Sequence, residues 1–151
     1  MEASKQLNAG RIVAALFMMI ALLLIVNFFR TTTIQVDFAT YFTPAYYMQF
    51  SLLLMPMALL NAGFLLIRGS KQANLALAIF GYMAILELFF DLVGVTPSFT
   101  PVFVVIVLLL AAGSAIYIAH TNTFSTNKLS KTGLIVSLLI GVVESLIPLF
   151  I

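Results

Sequence analysis

The chain has 151 residues, of which 63% are hydrophobic and 8% charged, with a formal net charge of +2 and a mean hydropathy of +1.18. An ordinary soluble domain carries roughly 25% charged residues, so this composition excludes a water-soluble surface and leaves one membrane domain with room for five or six crossings of about 20 residues. The basic residues stand singly at the ends of apolar runs and give no support to a nucleic-acid partner, and the lack of cysteine excludes disulfides, thiolate catalysis and Cys-based metal sites.

The expected fold class is all-α, a polytopic membrane bundle in which residues 12–29, 45–67, 75–94, 102–119 and 134–151 are five transmembrane helices. Barrel strands would show alternation over about ten residues, which is absent, and a helix satisfies its own backbone in lipid. The first stretch follows Lys5 and Arg11 and ends in Asn27-Phe28-Phe29-Arg30, with no small-residue cleavage pattern, so it reads as a retained anchor. The segment from Thr31 to Pro44 is expected to lie on the bilayer surface or cap the bundle, with Tyr41, Tyr46 and Tyr47 in an interfacial belt.

The second stretch carries Gln49 near its start and Pro56 inside it, where a bend is expected. Arg68-Gly69-Ser70-Lys71 makes a tight turn into the third, which carries Glu87 and Asp91 four residues apart, on one face and about a turn from each other. After a proline-bracketed connection, the fourth shows Ala111, Ala115 and Ala119 at four-residue spacing. The loop from His120 to Thr132 is expected to be solvated. The fifth repeats Gly133, Ser137, Gly141 and Ser145, small residues that let backbones approach, either within the bundle or in self-association. Because it also contains Glu144 and Pro148, it either spans or lies in the interface, giving five crossings or four.

If all five cross, Lys5, Arg11, Arg68, Lys71, Lys128 and Lys131 fall on one side and Arg30 alone on the other. The positive-inside rule then sets the amino terminus in the cytoplasm and the carboxyl terminus outside, in a plasma or inner membrane.

An ionisable side chain within lipid costs about 2.5 to 3.5 kcal/mol on insertion scales, so Glu87, Asp91 and Glu144 need partners or a cavity. Counting rise from the cytoplasmic ends puts Glu87 about 18 to 20 Å, Glu144 about 15 to 17 Å and Asn27 about 22 Å along their helices. Gln49 shares that layer and Arg30 and Asp37 border it. The candidate site is thus a polar layer in which Glu87, Asp91 and Glu144 bind a proton or cation, with Asn27, Gln49 and Arg30 as polar neighbours; the alternative is that these groups only fix helix contacts. His120 falls across the membrane from the acids, so no metal site and no cofactor is expected, and no Ser or Thr has a base beside it.

Three functions fit. The first is a non-enzymatic membrane protein acting by association, an accessory, sensor, immunity or defence component, whose partners are membrane lipid and further copies of the chain or another membrane protein. The second is a small oligomeric proton- or cation-coupled transporter or channel using Glu87 and Glu144. The third is an intramembrane enzyme acting on lipid with Glu87 and Asp91 as acid and base, which lacks a visible nucleophile or metal-ligand set.

Overall fold

Apolar segments that must satisfy their own backbone become helices, and the chain has five: α1 (Glu2–Thr31), α2 (Pro44–Ile67), α3 (Ala73–Leu92), α4 (Val102–Thr121) and α5 (Lys131–Leu146). The structure, a computed structural model, describes residues 2–32, 43–95 and 101–147, without the side chains of 2–5, 7, 44–49, 51 and 52. Tyr41, Asp37, Pro97 and Pro148 lie outside the described residues, as do the side chains of Gln49, Tyr46 and Tyr47.

Among the described residues three helices are long and apolar enough to cross a membrane: Asn8–Thr31, Ala73–Leu92 and Val102–Thr121. That is fewer than the five expected. Leu53–Ile67 is a shorter apolar segment, α5 has 16 residues, and the last residues of the expected fifth stretch, 148–151, are outside the description.

The helix limits depart from the apolar stretches for local reasons. α1 starts ten residues before the apolar run, since nothing between Glu2 and Arg11 breaks a helix and the hydropathy boundary is not a backbone boundary. α3 stops at Leu92, not residue 94, because Gly94 takes φ +73 and closes the helix: its N–H donates to the Asp91 carbonyl and that of Val95 to the Phe90 carbonyl. α4 runs on to Thr121 and ends where Asn122 turns left-handed at φ 50. α5 begins at Lys131, three residues early, because the Ser130 hydroxyl accepts from the Gly133 N–H at 2.9 Å and caps it.

The principal contacts are α1 on α2, α2 on α3, and α3 on both α4 and α5. α3 is therefore the centre, with Leu77, Ala78, Phe80 and Ala84 fully buried. Sequential neighbours run antiparallel, as short connections dictate: Gly63 meets Ala14 and Met18, and Gly81 meets Ala112 and Ile116. The starts of α1, α3 and α5 and the ends of α2 and α4 consequently share one end of the bundle, which gathers Arg11, Arg68, Lys71, Lys128 and Lys131. Apolar side chains cover much of the outer surface, among them Ile12, Leu23, Phe103, Leu110, Leu139 and Val143. A soluble monomer rarely exposes so continuous an apolar area.

The loop between α4 and α5 is solvated as expected, with none of residues 120–132 buried, but it is also tied down. Asn74, 1% exposed in the first turn of α3, donates from Nδ2 to Asn122 Oδ1 at 2.8 Å and to the Asn127 carbonyl. Asn122 Oδ1 also accepts from the Asn127 N–H at 3.2 Å. Phe124 lies against Gly10 of α1, and Leu129 against Gly133. One buried amide thus ties the loop to α3 while an aromatic ring ties it to α1. Asn74→Ala is expected to leave the Asn127 carbonyl without its donor and to cost about 1 to 3 kcal/mol. Limited trypsin digestion in detergent checks this: cleavage after Lys128 should quicken by about tenfold for each 1.4 kcal/mol lost in local opening.

Candidate functional site: a facing carboxyl pair

The site is built from the contact between α3 and α5. Ser137, Gly141 and Ser145 are all buried along one line of α5. Both hydroxyls are turned back onto their own helix, Ser137 Oγ donating to the Leu134 carbonyl at 2.9 Å and Ser145 Oγ to the Gly141 carbonyl at 2.8 Å. What remains facing α3 is nearly flat. A Cβ on Gly141 would stand 3.1 Å from the Met83 nitrogen and 3.1 Å from the Tyr82 carbonyl carbon, so here backbone meets backbone. The small-residue stripe is thus an intramolecular contact, not an exposed surface for self-association.

Gly133 beside Leu75 and Gly141 beside Met83 keep the same sequence offset, which makes α5 parallel to α3 and brings Glu144 level with Leu86 and Glu87. There the side chains of Glu87 and Glu144 come close enough to act on each other. Two carboxylates have only acceptors, so a hydrogen bond between them would require a proton on one, whose O–H would donate. Glu144 is 9% exposed and Glu87 half-buried. The Oε2 atoms of both are buried without a hydrogen-bond partner.

Asp91, one turn further along α3 and half-buried, is close enough to act electrostatically on Glu87. The other helices against α3 supply no counter-charge: α2 contains no acidic or basic residue, and the sole ionisable side chains of α4 are Tyr117 and His120. His120 is at the opposite end, its Nε2 2.7 Å from the Tyr82 hydroxyl.

Of the residues expected to form the polar layer, the structure brings together Glu87 and Glu144, with Asp91 adjacent. Asn27 and Arg30 lie on α1, whose principal contacts are with α2, so a helix separates them from the pair. Asn27 is half-buried, its carbonyl accepting from the Thr31 hydroxyl at 2.9 Å, and Arg30 is exposed. The side chain of Gln49 is outside the described residues. Among the described residues no three His, Cys, Asp or Glu side chains are grouped to hold a metal ion.

Two polar contacts escaped sequence reasoning, the Tyr82–His120 pair and the Asn74 knot. Asn74 had a usable signal: a lone amide within the first turn of an apolar helix needs a partner, and the loop rich in Asn supplies one. Tyr82 had none, because a tyrosine in an apolar helix reads as packing.

Compared with protein-family models, curated proteins and solved structures, the chain matches none of them. The site is therefore read from its own geometry.

Gly141 controls that geometry. Gly141→Leu is expected to force α5 off α3 and cost about 1 to 3 kcal/mol as overpacking does, lowering the thermal unfolding midpoint in detergent. Gly141→Ala, which needs shifts of only a few tenths of an ångström, should cost less. Equal midpoints for both variants and the parent would show that the helices do not meet at this residue.

Proposed function

We propose that the chain is a small multi-pass membrane protein that carries a proton or a monovalent cation on the Glu87–Glu144 pair, as a proton- or cation-coupled transporter or channel. The single observation behind this reading is the orphaned pair: two acids face each other in the interior, each with one buried oxygen lacking a partner, and no basic side chain on α2, α4 or α5 opposes them. Burying ionisable groups in this way costs free energy that an apolar pair would not, so a packing role alone leaves the choice of residues unexplained. Two facing carboxyls suit one shared proton, and among the described residues no third His, Cys, Asp or Glu is grouped with them to hold a metal ion.

In this proposal all five helices cross a plasma or inner membrane. The gathering of arginine and lysine at one end supports an amino terminus in the cytoplasm and a pair in the outer half of the bilayer. Assembly with further copies, or with another membrane protein, belongs to the same proposal, since five helices are few for alternating access. An accessory, sensor, immunity or defence role by association through α5 loses its main support, because Ser137, Gly141 and Ser145 already meet α3. Catalysis on lipid by Glu87 and Asp91 has no nucleophile to support it.

Purified protein in liposomes, given a pH, sodium or potassium gradient, should dissipate at least one of them. Glu87→Gln and Glu144→Gln are each expected to reduce that flux to the level of empty vesicles while helical content stays at the parent value. Flux that survives either substitution unchanged disposes of the reading, and so does a parent protein that moves none of the three ions.

A further inference from the structure

The principal contacts of α1 are with α2 alone, so most of its circumference is free of the other helices. Beside that contact Ala15, Met18, Leu22 and Val26 of α1 and Ile67 of α2 line an open groove of about 400 Å³. Its walls are apolar side chains throughout. From Ala15 to Val26 a helix rises about 16 Å, close to the depth of one leaflet, which is half of a hydrocarbon core of about 30 Å. The groove thus has the length and the chemistry of a single acyl chain.

Two arginines stand at its head, at the basic end of the bundle. Arg11 is four residues before Ala15, a spacing that sets both on one face of α1 about a turn apart. Arg68 directly follows Ile67, and its guanidinium lies 4.5 Å from the centroid of the Phe64 ring. Phe64 is one turn earlier and exposed on the flank of α2. Arg68 is therefore turned back along the side of the bundle, towards the level of lipid headgroups, instead of outward into water. A guanidinium over a ring keeps its N–H edge free for an oxyanion. No described carboxylate occupies that edge: Glu87, Asp91 and Glu144 lie towards the other end, and Glu2, whose side chain is outside the description, begins α1 about 13 Å along the helix from Arg11.

We infer that the seam between α1 and α2 binds an anionic phospholipid, with an acyl chain in the groove and the phosphate between Arg11 and Arg68. Basic residues gathered at one end would orient the chain in any bilayer without selecting a lipid. An acyl-sized groove headed by two guanidiniums selects one, because a headgroup that carries its own cation is repelled where a net anion is held. The inference rests on the membrane placement proposed above and not on the Glu87–Glu144 pair.

The test is native mass spectrometry of the full chain in a neutral detergent, titrated with phosphatidylglycerol or phosphatidylcholine. The parent protein should retain one phosphatidylglycerol and bind it about tenfold or more tightly than phosphatidylcholine. Arg11→Gln and Arg68→Gln should each weaken that binding about fivefold, the effect of one basic group near an anionic surface. Lys131→Gln, at the start of α5 and away from α1, should leave it unchanged. Ala15→Trp, which fills the groove near its head, should weaken both lipids, with Leu22→Trp as a second filling variant should the first fail to fold. Equal binding of the two lipids overturns the site, and so does a loss in Lys131→Gln equal to that in the arginine variants, since either means diffuse attraction to the charged end. Binding untouched in a folded groove variant overturns the groove as the seat of the acyl chain. Glu87→Gln should bind the lipid as the parent does, so failure of the ion site and failure of the lipid site are read separately. A chain that stays in solution without detergent refutes the membrane placement itself.

Discussion

The structure depends on the approach of α5 to α3 at Gly141. Removing a side chain there lets the two backbones touch, and touching backbones leave only one place for the next long side chain on that face, which is beside Glu87. Glu144 does not reach the acid by flexibility. It is delivered there by a parallel register that Gly133, Ser137 and Gly141 set turn by turn. A larger residue anywhere along that line would widen the gap and open the two carboxyls to separate surroundings.

The two ends of the bundle are held by different chemistry. At the basic end Asn74 ties the α4–α5 loop to α3, Phe124 covers Gly10, and Tyr82 bonds His120, so three independent contacts join four helices or their connections. At the other end, among the described residues, α3 and α5 place the carboxyls of Glu87 and Glu144 beside each other. Contact between two acids depends on their protonation, whereas an amide bonded to a carbonyl is indifferent to protons.

Much of this was legible in the residues. Composition and hydropathy marked out all five helices, and the four-residue recurrence of small side chains marked the faces that pack closely. The partner of each face was not legible. A stripe of Ser and Gly says that a backbone comes near, and whether it belongs to α3 or to another copy depends on the fold. Depth along a helix is one coordinate of three: it puts Asn27 and Arg30 in the same expected layer as Glu87 and Glu144, but their helix α1 packs principally on α2, not on α3. Helix limits failed where capping, not hydropathy, decides them, as at Ser130 and Gly94.

The shortness of α5 bears less on the acid pair than the sequence suggested. Sixteen residues make about 24 Å of helix, less than a hydrocarbon core of about 30 Å. Read alone, such a segment could lie flat and take Glu144 away from Glu87. Yet α5 runs alongside α3 in the same direction, in contact from Gly133 to Gly141, so it cannot lie across the bundle while α3 stands upright. The depth of Glu144 is then fixed by Glu87, whatever the length of α5. Number of crossings and geometry of the pair become separate questions, and the second is answered by the helix contact.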